Sequence, residues 1–315
     1  VTNTFEHKNN IYSDQTCYFI TTDRGNAKYI TAQASVAGEN YNTSSYDIMS
    51  FIDQDKVNLL NSGRAWYGDI IDIYTPNRTY NFTLPDLITS EYILFRASAA
   101  GNSTSGSITI DLKANGASLP SDITISEVSE GFSETYAYEN GVETGFNSTS
   151  SSIAISMDYY GSSEATAWVN YIELIGRANI VYNNTPLFFR DARTIGDGRI
   201  TKFTIDAPNG IQIWDITDRI NAKLQNYTVS GSDLTFTLAT DKLKEFVAVD
   251  PNDAYGADDI TFIEKVVAQD LHNDANQPDL VIVSHPSFMS EARRLAGWHH
   301  DVDGLDTLVV DVNKV

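Results

Sequence analysis

Asp279–Val315 reads DLVIVSHPSFMSEARRLAGWHHDVDGLDTLVVDVNKV, and its periodicity decides the architecture at this end of the chain. Leu280–Val283 is a short apolar run behind Pro278, the pattern of a fully buried strand. Ser284 or Ser287 can cap a helix, and Phe288, Ala292, Leu295 and Ala296 recur at helical spacing up to Gly297. Thr307–Val312 is a second buried strand. Strand, helix and strand within about 35 residues make a βαβ unit, which implies parallel strands and a right-handed crossover. Two parallel strands cannot bury both faces of such a sheet. The expectation is therefore that 273–315 is the start of a truncated α/β domain and that everything before it is a front end.

Working outward, 315 residues suit about two domains. A hydrophobic content of 42%, with 17 Tyr and 14 Phe, is ample for packed cores and excludes global disorder. The formal charge of −21 argues against nucleic acid and against docking on anionic lipid; it suits solubility outside the cell. One cysteine excludes an internal disulfide. A secreted, Ser/Thr/Asn/Tyr-rich chain without disulfides points to a bacterial surface protein. No apolar run approaches the ~18 residues that a spanning helix needs, and no signal peptide is recognisable.

From Val1 to Gly176 nearly every patterned stretch has period two or is a short apolar run. Thr16–Thr22, Tyr29–Ser35, Tyr92–Ala97, Ser107–Lys113, Ile153–Tyr159 and Ala167–Ile175 read as strands between Gly/Asn/Ser turns. Asp53–Leu60 is the best helical piece. Closely spaced strands with such turns predict a jelly-roll-like β-sandwich over 1–176. Trp168–Ile175 alternates as a strand covered on both faces. A second, smaller β-rich domain is expected over 177–272. Its strands are Leu187–Arg190, Ile200–Asp206, Gly210–Ile216, Asn226–Val229, Leu234–Ala239 and Glu245–Val249. Asn209-Gly210 predicts a hairpin between two of them, and Ser230–Asp233 another turn. Asp250–Asp259 is acidic and turn-rich, and it reads as a solvated linker because the terminal Glu of a calcium loop is missing.

Candidate chemistry is sparse. Ser62–Asp69 (SGRAWYGD) brackets Arg64, Trp66 and Tyr67 between two glycines. Arg beside aromatics offers a binding surface for peptide or sugar, against a structural corner in which Trp66 fills core. Cys17 is the sole thiol, but Tyr18, Phe19 and Ile20 place it on a buried strand, and the nearest histidine in sequence is His7. Catalysis by Cys17 is not expected. His299, His300, Asp301 and Asp303 are the densest ligand-type cluster. The cluster could hold zinc or calcium, with Asp301 and Asp303 as metal candidates, but adjacent histidines converge poorly on one ion, so it reads as an αβ turn ending at Gly304. His285 follows the first parallel strand, where it either caps or packs, or approaches the crevice of a complete domain. Phosphate loops, nucleophile elbows and zinc-protease helices are absent.

The stretches IVSHPSFMSEARRLA and GLDTLVVDVNKV resemble the opening of the catalytic domain in the gingipain-like family of cysteine peptidases. SGRAWYGD is similar to the SGR-x-W-[YF]-G-[ED] signature of that family's type IX secretion sortases. Ile211–Thr217 (IQIWDIT) and the long strand ending at Arg177 fit the same pattern. Thr261–His272 resembles the family segment ending in NQNLH, from which Ala268 and Asp270 depart. The resemblance implies a bacterial outer-membrane, cell-surface enzyme of Bacteroidetes. Such an enzyme removes the C-terminal sorting domains of type IX secretion cargo and works with a PorV-like outer-membrane protein. Its Cys–His dyad would fall beyond Val315, so no catalytic residue and no activity is expected in this chain. The chain would instead scaffold the C-terminal catalytic domain or bind cargo and partners, with no cofactor. The alternative is a secreted carbohydrate-binding β-sandwich module in which exposed Trp66 and Tyr67 stack on sugar.

Overall fold

The computed structural model describes residues 5–10, 18, 25–26, 29–61, 65–129, 131, 135–253, 261–263, 265 and 277–315. Two compact units divide the chain, Val1–Ala254 and Tyr255–Val315. The first begins with β1 (Thr31–Gln33), β2 (Tyr41–Thr43), β3 (Ser45–Asp53), β4 (Ile70–Asp72), β5 (Asn77–Thr83), β6 (Ile93–Asn102) and β7 (Ile108–Ala114). It continues through β8 (Ala117–Ser118), β9 (Ile123–Ile125), β10 (Tyr138–Phe146), β11 (Ser152–Tyr160), β12 (Thr166–Asn179) and β13 (Leu187–Arg190). It closes with β14 (Ile200–Asp206), β15 (Gln212–Asp215), β16 (Lys223–Gln225), β17 (Thr228–Ser230), β18 (Asp233–Ala239) and β19 (Glu245–Val249).

The predicted sandwich is present. One antiparallel sheet runs β10-β6-β12-β3, with β4 beside β12; the other runs β5-β11-β7-β8, with β9 beside β7. The chain changes sheet from β5 to β6, β6 to β7, β10 to β11 and β11 to β12, as a jelly roll does. Alternation puts Phe95, Ile172 and Leu174 of the first sheet in one core with Ile110, Leu112 and Ile155 of the second. Gly101 on β6 is required by this packing, since a Cβ there would meet Ile108 of the facing sheet at 2.8 Å.

A second pair of sheets, β1-β16-β15-β19-β13 and β17-β18-β14-β2, follows. Phe203 and Phe236 from one stack at 5.0 Å, and Phe246 from the other meets both edge-on at 5.0 and 5.1 Å. Each such aromatic pair adds about 0.5–1.5 kcal/mol beyond the area it buries. The expected boundary at 176/177 falls inside β12. Two strands from the front of the chain also cross it. β1 pairs in parallel with β16, and β2 with β14, so the buried core is continuous through the unit.

Two local expectations fail for physical reasons. Asp53–Leu60 is not a helix: Asp53 ends β3, Val57 bridges Tyr67, and Asn58 Oδ1 accepts the Leu60 amide in a turn that competes with helical bonding. Asn209-Gly210 does not close a hairpin. β14 and β15 lie in different sheets, and Gly210, with φ +106°, turns the chain between them. Ser230–Asp233 does close one, β17 to β18, with Gly231 at φ +65°.

The second unit carries the βαβ element. β20 (Leu280–Ser284) and β21 (Thr307–Asp311) pair in parallel from Leu280↔Thr307 to Ser284↔Asp311. Between them α1 (Met289–Asp303) buries Ala292 and Ala296, and Gly304 ends it in the left-handed conformation with φ +69°. The helix runs six residues beyond Gly297, because His299 and His300 stay in the ladder and supply the carbonyls that the Gly304 amide caps. On β20, Val281 and Val283 remain 51% and 52% exposed.

Candidate functional site

The glycine-bracketed stretch forms a corner seated on the sandwich. Arg64 lies outside the described residues. Tyr67 exchanges backbone hydrogen bonds with Val57 at 2.9 Å, and the Gly68 amide donates to Val169 O at 2.7 Å. A Cβ at Gly68 would stand 3.2 Å from Gln54 O, so glycine lets the corner approach the sheet this closely. Tyr67 is only 8% exposed and packs on Ala100 and Trp168. Its hydroxyl donates to Glu139 Oε2 at 3.1 Å, while Ser98 Oγ and Asn170 Nδ2 donate to Oε1 of the same carboxylate. Burial, then the Glu139 charge, pushes the Tyr67 phenol up to about 12. Trp66 is half-buried. The adjoining cleft, lined by Leu59, Leu60, Tyr67 and Tyr136, holds about 130 Å³. Ligand pockets usually hold about 300–1,000 Å³. Tyr67 thus offers no open face for stacking on sugar.

Two charged networks that the sequence did not disclose hold the same sandwich. Arg177, 4% exposed at the end of β12, donates through Nη1 to Asp47 and Asp191, each at 2.7 Å, and through Nη2 to Ser45. Burial opposes its charge, but Asp191 and then Asp47 outweigh that and raise its pKa further. On the outer face of the β10-β6-β12-β3 sheet, Glu173 is 2% exposed between Arg96 and His7. The alternation of Trp168–Ile175 signalled a strand covered on both faces. One extra residue, Asn170, interrupts its pairing with β6, so Trp168 shares the outer face with Tyr171 and Glu173.

In the second unit, His285 caps rather than projects: its Nδ1 accepts from the Ser287 amide at 3.2 Å. His299 Nδ1 pairs with Asp303 at 2.7 Å, and His300 Nδ1 donates to Leu305 O at 3.0 Å. Asp301 and Asp303 both lie in the last turn of α1, about 200° apart around its axis. Among the described residues no three His, Cys, Asp or Glu side chains gather as a metal site. Cys17 lies outside the described residues.

Residues 273–315, the segment of the βαβ unit, match the model of peptidase family C25. The likeness to that family is confined to this segment, at the end of a β-rich chain. The particular likeness is to PorU. The crystal structure of dimeric latent PorU from Porphyromonas gingivalis superposes with a TM-score of 0.67 and 22% identity over 90% of this chain. The aligned part is 27% of that PorU chain. In fold, then, this is a PorU-like chain. A family 35 carbohydrate-binding module from Clostridium thermocellum reaches a TM-score of 0.27 at 14% identity, over 41% of this chain and 90% of its own. A family 36 module in complex with calcium and xylotriose reaches 0.27 at 10%, over 40% of this chain and 98% of its own. Scores this low carry no argument about function. No curated protein matches the chain in sequence.

Proposed function

We propose that this chain is the non-catalytic front part of a PorU-like cysteine peptidase. That enzyme would act at the bacterial cell surface as the sortase that removes C-terminal sorting domains from type IX secretion cargo. The observation that carries the reading is the second unit: a C25-matching βαβ element whose β20 leaves Val281 and Val283 half exposed. A parallel sheet buries both of its faces. The open face is where the remaining strands and helices of an α/β peptidase domain would pack, and the nucleophile and its histidine would come from that part. The two sheet pairs of the first unit would brace the peptidase domain and present surface to cargo and to a PorV-like outer-membrane partner. The test is cleavage of a sorting-domain reporter by this chain and by the protein read on past Val315. The longer protein cleaves and this chain does not. Cleavage by this chain that Cys17→Ala abolishes would overturn the reading.

A further inference from the structure

Two adjacent rows of side chains cross the outer face of the β10-β6-β12-β3 sheet. Glu143, Arg96, Glu173 and Phe51 stand side by side on the four strands. Ser98, Tyr171 and Asp53 form the next row on β6, β12 and β3. Across them lies Phe5–Asn10, which joins no strand. Arg96 Nη1 donates to Phe5 O at 2.9 Å, and the His7 amide donates to Glu173 Oε1 at 2.7 Å. The His7 ring stacks on Phe51 at 4.6 Å and meets Tyr171 edge-on at 5.0 Å. Its Nδ1 lies 2.7 Å from Glu173 and its Nε2 2.9 Å from Asp53. Each ring nitrogen of His7 thus faces a carboxylate oxygen at hydrogen-bond distance. The Phe5 ring lies under the Arg190 guanidinium at 3.6 Å, and Asn9 donates to Asp55 at 2.9 Å.

The socket is built without this segment. Arg96 Nε is fixed by Glu143 at 2.7 Å and its Nη1 by Glu173 at 3.3 Å, and both Arg96 and Glu173 sit on the sheet's central strands. The segment is gripped by side chains and two backbone hydrogen bonds, with no ladder. Asp53, Asp55, Glu143 and Glu173 outnumber Arg96 and Arg190, so the pocket selects a cationic side chain at His7.

We propose that this face is a peptide-recognition groove for an aromatic residue two positions ahead of a histidine or other cation, and that Phe5–His7 occupies it as the chain's own ligand. Arg190 over the ring reads the aromatic residue. Asp53, Glu173, Phe51 and Tyr171 read the cation. The main-chain contacts of Arg96 and Glu173 fix the spacing. The inference does not depend on the peptidase reading.

The probe is an acetylated, fluorescein-labelled FEHKNN peptide, followed by anisotropy. A Phe5→Ala/His7→Ala form of the full chain should bind it at least tenfold more tightly than the unaltered chain. The unaltered chain's own segment competes at an effective concentration on the order of millimolar. Adding Glu173→Gln, or replacing the peptide's histidine by alanine, should weaken binding at least tenfold. A folded double variant that ignores the peptide, or that binds both peptides equally, would overturn the proposal. Hydrogen exchange on the unaltered chain supplies a test free of folding defects. The His7 amide should exchange at least tenfold faster than the amides of β6. Equal protection would make the segment a fixed part of the core and would also overturn the proposal.

Discussion

At the scale of single residues, Arg177 shows how a charge survives inside the sandwich. Its ion pairs bind β12 to Asp47 on β3 and to Asp191, which follows β13. Replacing it by methionine leaves Asp191, itself 2% exposed, without its cation. Removing one partner of a buried pair costs about 3–5 kcal/mol. Arg177→Met should therefore lower the melting temperature sharply, and an unchanged melt would refute the clamp. Arg177 was visible in the sequence as a cation at a strand end. Its partners were not, because Asp47 lies 130 residues away and no periodicity links them. The surface carboxylates set the response to acid. Hydrogen bonds from Lys113 hold Asp158 below the usual carboxylate range, and Arg193 does the same for Glu91. Their folded pKa values lie below the unfolded ones of about 4. Their stabilisation is thus fully present above that pH and is lost as pH falls through the folded values. Thermal melts at pH 7, 5 and 3 should agree in the first two and drop in the third; a melt at pH 3 as high as at pH 7 would contradict this.

At the scale of elements, strands with clean alternation were legible: Leu187–Arg190, Ile200–Asp206 and Glu245–Val249 coincide with β13, β14 and β19. β10 was invisible because its sequence, YENGVETGF, carries a turn-like Asn-Gly within an edge strand. Its glycines serve close packing. A Cβ at Gly141 would stand 2.9 Å from Ala97 O, and one at Gly145 would overlap the Tyr92 ring and the Ile93 carbonyl. Gly145→Ala should destabilise by about 1–3 kcal/mol in denaturant melts, as other overpacked positions do. A change inside experimental error would mean that the strand edge yields. The outer-face rows were half legible. The double-sided coverage of β12 could be read from Trp168–Ile175, but the bulge at Asn170 and the covering segment could not. Both are tertiary features that period-two patterning does not encode.

At the scale of the molecule, the order of β-rich front and βαβ end was legible. The interleaving of the front was not, since β1 and β2 pair in parallel with strands far along the chain. Such pairings leave no local signal. The open face of the βαβ sheet makes a contrast that can be measured. Val283→Lys should change the stability of this chain by less than about 0.5 kcal/mol, as exposed substitutions do. The same change in the protein read on past Val315 should lower its melting temperature and its yield, because there the side chain would be buried. Equal tolerance in both would remove the open face as a docking surface. The central claim is that a front part leads into a C25 peptidase domain, and one assay addresses it most directly. Cleavage of a sorting-domain reporter is followed for this chain and for the longer protein, side by side. Cleavage by the longer protein alone is the predicted result. Cleavage by this chain, abolished by Cys17→Ala, would contradict it.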